Sequence, residues 1–74
     1  MTATENKVLG YLKSKEHGER LRVMVLDLRM SRSDLLRVLY GLKRFGYVAC
    51  IDMPGDRANG DFGYIKYVWT GKEW

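Results

Sequence analysis

The stretch from Ser31 to Tyr47, SRSDLLRVLYGLKRFGY, constrains the fold more than any other part of the chain. It holds a start signal, one apolar stripe and a stop signal, which together specify an amphipathic helix. Ser31 is placed to cap the first turn, and Asp34, three residues on, has the spacing to reach back to the Ser31 amide as a capping box. Asp34 also sets negative charge at the positive end of the helix dipole. Leu35, Val38, Leu39, Leu42 and Phe45 recur at spacings of three and four, which predicts one buried stripe. Arg32, Ser33, Arg37, Tyr40, Lys43 and Arg44 fall largely outside it. Gly46 stands where a left-handed cap ends a helix. A helix that buries Leu on one side and offers Arg, Lys and Tyr on the other suits the reading of DNA. A solvated helix in a small helical domain carries the same pattern.

Charge is concentrated around this helix. The chain holds thirteen Lys and Arg against nine Asp and Glu, a net charge of +4. Between Arg20 and Arg44 there are seven basic residues (Arg20, Arg22, Arg29, Arg32, Arg37, Lys43, Arg44) and two acidic ones (Asp27, Asp34). That segment alone is therefore +5 and the remainder slightly acidic. Charge of one sign gathered in one segment suits a polyanion-binding face.

The 74 residues predict one domain whose core is near the lower limit for unaided folding. No apolar run approaches the roughly 20 residues that span a bilayer, and the longest candidates, Val23 to Leu28 and Tyr47 to Ile51, are short and flanked by charge. MTATENK lacks the basic-then-apolar pattern of a signal peptide. The lone Cys50 has no internal disulfide partner and fits a buried thiol in a reducing cytoplasm, so the expected location is cytoplasmic, at the nucleoid for a bacterial or viral chain. With His17 as the one histidine, in a polar loop, no metal or other cofactor is expected. No Ser/His/Asp set, paired-carboxylate site or phosphate loop is present, which argues against an enzyme. Asp52, Asp56 and Asp61 with Gly55 and Gly60 faintly resemble a calcium loop, but the EF-hand spacing and its closing Glu are absent.

Along the chain, a first helix is predicted from Ala3 to Ser14. Thr2 and Glu5 have capping-box spacing, and Val8, Leu9 and Leu12 form the stripe with Tyr11 at its edge. Lys15 to Arg20, KEHGER, reads as a loop. Leu21 to Met30 is ambiguous, since LRVMVL alternates like a strand while Val23, Leu26 and Met30 have helical spacing. A short extended piece near Arg20 to Arg22, then a helix from Val23 to Arg29, is the favoured reading. Met30 and Ser31 then suffice for a tight turn, making a helix-turn-helix. After Gly46 the period changes. Tyr47 to Met53 and Phe62 to Thr70 are rich in residues that suit strands, and residues 54–61 are dense in turn formers. This predicts a β-hairpin with a long loop, with Ile65, Tyr67 and Trp69 facing the core. Gly71 to Trp74 reads as a short exit.

Three helices followed by a two-stranded hairpin is the element order of the winged helix-turn-helix, an α+β fold, and the resemblance covers nearly the whole chain. Ser31 to Val48 resembles the family's recognition helix running into the wing, and Tyr67-Val68-Trp69-Thr70-Gly71-Lys72 is similar to its closing strand. The resemblance implies sequence-specific binding of double-stranded DNA by a small transcriptional regulator, with the third helix in the major groove. It makes Arg32, Ser33 and Arg37 the readers of base edges, with Leu36 half exposed beside them, either to touch a thymine methyl or to complete the core. Tyr40, Lys43, Arg44 and Arg29 are left to phosphates, and Arg57 is the basic contact of a wing otherwise acidic through Asp52, Asp56 and Asp61. A narrower likeness of Arg37 to Leu42 to the Z-form nucleic-acid binders fails on Leu36, where that family has Asn, and on the lack of a proline-rich wing.

The rival expectation is a winged helix that docks a protein partner or dimerises, for which the acidic wing and the aromatics Tyr11, Tyr64, Trp69 and Trp74 are suited. Tight specificity from so small a reader calls for a homodimer on two half-sites. Helix one and Trp74 are the surfaces nominated for that. No effector-binding segment is evident, so control by a small molecule is not expected.

Overall fold

A computed structural model describes residues 2–60 and 62–73, leaving aside the Arg57 side chain. Asp61 and Trp74, assigned above to an acidic wing and a dimer surface, lie outside the described residues, as does the Arg57 side chain proposed as a wing contact.

Each helix begins where the sequence carries a cap or a change of backbone direction. The first, α1 (Ala3–Lys13), has the complete capping box: the Thr2 hydroxyl accepts from the Glu5 amide at 3.2 Å and the Glu5 carboxylate accepts from the Thr2 amide at 3.0 Å. Hydrogen bonding from the Thr2 amide, then from its hydroxyl, holds the Glu5 carboxyl below its usual range. Arg20 is extended and starts α2 (Leu21–Leu28), without a side-chain cap. Arg29 turns the chain through a left-handed conformation, φ 53°, and Ser31 caps α3 (Arg32–Arg44) by accepting from the Asp34 amide at 3.2 Å. The return bond of the expected capping box is not formed, so Asp34 contributes its charge at the helix N-terminus. At the far end Gly46, φ 85°, lets its own amide bond the Lys43 carbonyl and the Tyr47 amide bond the Leu42 carbonyl at 2.9 Å. This paired pattern is the glycine-ended helix stop expected from the sequence.

The strands are β1 (Glu19–Arg20), β2 (Val48–Met53) and β3 (Tyr64–Trp69), with one 3₁₀ turn, Arg57–Asn59, between the last two. Among the described residues this makes three α-helices and a three-stranded antiparallel sheet in the order β1-β3-β2. The expected two-stranded hairpin is thus corrected to three strands. Glu19 pairs with Tyr67 and Arg20 with Lys66, but two residues are too few to show alternation in sequence. What permits the pairing is Gly18, φ 74°, where a Cβ would stand 2.5 Å from the Tyr67 carbonyl oxygen.

The core joins Val8, Leu9 and Leu12 of α1, Met24 and Leu28 of α2, Leu35, Leu39 and Leu42 of α3, and Val48 of β2. Burying each such side chain stabilises by roughly 1.5–3 kcal/mol. No polar side chain is buried among the described residues. Three expectations are corrected here. In α2 the buried pair is Met24 and Leu28, whereas Leu26 is 72% exposed and Val23 and Met30 are half-buried. The helix begins two residues earlier than expected, and its Met24–Leu28 spacing, not Val23–Leu26–Met30, meets α1 and α3. Phe45 is 63% exposed because α3 ends at Arg44 and the chain turns off the stripe. Ile65 shares a face with Tyr67 and Trp69, which pack on the core, but is 50% exposed because an open groove separates it from α2 and α3.

Candidate nucleic-acid interface

The turn between α2 and α3 decides where the basic residues point. Two residues, Arg29 and Met30, separate the end of α2 from the Ser31 cap. The Lys7 ammonium of α1 donates to the Leu28 carbonyl at 3.2 Å and so closes the carboxyl end of α2. The carboxyl end of α3 is closed from the C-terminal tail. Thr70 donates to the Gly46 carbonyl at 2.6 Å, and Lys72 donates to the Phe45 carbonyl at 2.7 Å while lying over the Tyr47 ring. Helix α3 is thereby fixed at both ends, with Leu35, Leu39 and Leu42 inward.

Its other face is exposed and basic. Ser33, Arg37, Tyr40 and Lys43 line a groove of about 450 Å³ between α3 and the sheet, with Cys50 and Tyr67 as its far wall. Burial raises the Tyr67 phenol above its usual pKa, against the pull of Lys43 and Arg32 nearby. Arg32 faces a second groove, around the first turns of α2 and α3. Arg29 and Arg37 line a third, beside α1. Arg44 is exposed in the last turn of α3. Arg37 thus borders both the sheet-side and the α1-side grooves, and the side chains selected on α3 form one continuous surface. Arg29, which ends α2 as expected, joins that surface through the groove it shares with Arg37.

None of the seven basic side chains from Arg20 to Arg44 is ion-paired among the described residues, where the ion pair present joins Lys13 to Glu73 at 2.9 Å. Of the two acidic residues in the segment, Asp27 accepts from the Tyr11 hydroxyl at 2.7 Å on the far side of α2, and Asp34 sits at the start of α3. A surface of unneutralised guanidinium and ammonium groups donates to anionic oxygens, and Arg presents two parallel donors to a base edge or a phosphate. In the hairpin loop Asp56 accepts from the Ala58 amide and the Asn59 side chain, a local turn that keeps its charge at the surface.

Two basic residues were not selected from the sequence. Arg20 and Arg22, at the start of α2, border the same groove of about 820 Å³ as Arg32. Arg20 stacks over the Tyr64 ring at 4.8 Å, a cation–π contact between β1 and β3. The cluster of Arg in the sequence hinted at them, but their position depends on the β1–β3 pairing.

Among the described residues no group of three His, Cys, Asp or Glu side chains is placed to hold a metal ion, and no helix is long and apolar enough to cross a membrane. Compared with protein-family models, curated proteins and solved structures, the chain matches none.

Proposed function

We propose that this chain binds double-stranded DNA as a winged helix-turn-helix protein, with α3 in the major groove, in the manner of a small transcriptional regulator. The observation that carries the reading is the exposed face of α3, where Arg32, Arg37, Lys43 and Arg44 stand together without an acidic partner among the described residues. A docking helix has no use for four uncompensated positive charges on one face. The element order, with a two-residue turn before α3 and an antiparallel hairpin after it, supports the same reading.

The major groove of B-DNA is about 12 Å wide and admits a helix. The first turns of α3 carry Arg32, Ser33 and Arg37 to base edges, where Arg pairs with guanine through two hydrogen bonds and Leu36 meets a thymine methyl. Tyr40, Lys43 and Arg44 lie later along the helix, and Arg29 at the turn, where phosphates pass. These contacts set affinity and register rather than sequence. Asp52 and Asp56 repel phosphates, so the hairpin stands away from the minor groove and α3 does most of the reading.

The test is a binding titration on random duplex at rising salt, followed by selection from a random pool. Binding that weakens steeply with salt and a selected sequence are expected. No binding at low salt, or binding indifferent to salt, overturns the proposal.

A second reading, a protein-docking or dimerisation surface, is favoured by a different observation: Leu26, Ile65 and Phe62 leave large apolar side chains in water.

A further inference from the structure

Four of the exposed apolar residues lie together, apart from Phe45 and Ile51. Leu26, Leu36 and Ile65 line the 820 Å³ groove that also holds Arg22 and Arg32. Ile65 then continues into a neighbouring depression shared with Phe62 and Asp52. Asp52 is directly opposite Ile65 in the β2–β3 register, so the two share a face of the hairpin. Phe62 is 87% exposed and projects beyond the last pair of the hairpin. One apolar strip therefore runs from α2 and α3 along β3 to the hairpin tip. Its helical end is basic, through Arg22 and Arg32. Its hairpin end is acidic, through Asp52 in that depression, with Asp56 in the adjoining hairpin loop.

A strip with opposite charges at its two ends is complementary to itself when reversed. A two-fold axis supplies that reversal, since it places the same patch of each subunit against the other. We propose that two copies of this chain pair antiparallel through this strip, about an axis midway between Ile65 and the Arg22–Arg32 end. Phe62 of each copy lies against Leu26 and Leu36 of the other, and Asp52 and Asp56 lie beside the partner's Arg22 and Arg32. The pairing removes from water apolar side chains that α2 and α3 leave uncovered, which is the usual driving force of association. A phosphodiester backbone supplies charge for the arginines but nothing apolar for Leu26, Ile65 and Phe62. The hairpin of a second copy supplies both.

The inference rests on the strip and not on the DNA reading. Where α3 reads a duplex as proposed above, the pair covers Arg32 and Leu36, so self-association and duplex binding exclude one another.

The test is sedimentation equilibrium of the chain without nucleic acid over a wide concentration range. A monomer–dimer equilibrium is expected. Phe62→Ser and Ile65→Ser change exposed positions, so folding is retained, checked by circular dichroism, and each weakens the dimer by about tenfold or more. The double variant Arg22→Glu/Arg32→Glu and the double variant Asp52→Lys/Asp56→Lys each weaken it by a similar factor. All four substitutions in one chain restore it, because the charges then oppose again with the ends exchanged. A chain that stays monomeric throughout, a dimer indifferent to Phe62→Ser and Ile65→Ser, or a fourfold variant no better than either double variant overturns the proposal.

Discussion

The Lys7 ammonium donates to the main-chain carbonyl of Leu28 at 3.2 Å, so a side chain of the first helix closes the second helix at the turn that aims the third. The carbonyl belongs to the last turn of α2, where a positive charge also meets the negative end of the helix dipole. Lys7→Met keeps the aliphatic stem and removes the donor. It is expected to lower stability by roughly 0.5–1.5 kcal/mol in urea unfolding, with an unchanged slope on denaturant.

The Tyr11 hydroxyl donates to Asp27 at 2.7 Å and ties α1 to α2 at a second point. Burial, then the bond to Asp27 and the carboxylate's charge, raise the phenol above its usual value of 10.0. A group whose folded pKa is raised contributes stability that is complete below its unfolded pKa and lost as pH rises toward the folded value. Melting temperature is therefore expected to fall on the alkaline side of the tyrosine range. Tyr11→Phe is expected to be slightly less stable at neutral pH and to lose that part of the alkaline decline. An identical alkaline decline in Tyr11→Phe would count against the bond.

Helix α3 is held by a cap and by buried leucines, and the two are separable. Ser31→Ala removes the acceptor for the Asp34 amide and is expected to cost about 1 kcal/mol. Leu39→Ala opens space in the core and is expected to cost roughly 2–5 kcal/mol. Thermal unfolding ranks them; a cap loss as large as the core loss would show that the helix start carries more than one bond.

Duplex binding separates the basic residues by role. Lys43→Ala and Arg44→Ala are each expected to reduce the slope of log affinity against log salt by about 0.9, with sequence preference unchanged. Arg32→Ala and Arg37→Ala are expected to relax preference at particular bases, each costing roughly 1–3 kcal/mol at the preferred site. Preference unaltered by both of the latter would show that another face of the protein meets the bases.

Much of the helical framework was legible because its signals are local. Thr2 with Glu5, the spacing of Val8, Leu9 and Leu12, the Ser31 cap and the Gly46 stop all act within one or two turns, and each operates as the sequence indicates. The candidate side chains on α3 were legible for the same reason, since residues three and four apart share a face. Arg20 and Arg22 were not, because they reach Arg32 across a groove whose far side is β3. The sequence presents Gly71 onward as a mere exit, yet Glu73 meets Lys13 and Lys72 returns to the end of α3, beside Thr70 at the end of the last strand. Those contacts join residues more than twenty positions apart.

Sequence by itself determined where α1 and α3 start and stop, which leucines of α3 share a stripe, and that a hairpin follows Gly46. Caps, periodicity and turn residues express energies that depend on near neighbours alone. Tertiary structure decided which face of α2 is buried, that Glu19 and Arg20 form a third strand, that Phe45 leaves the core, and that Ile65 continues an apolar strip beyond the helices. Periodicity states which side chains lie together, but only the approach of distant segments, limited by close contacts such as Gly18 against Tyr67, selects which face they cover.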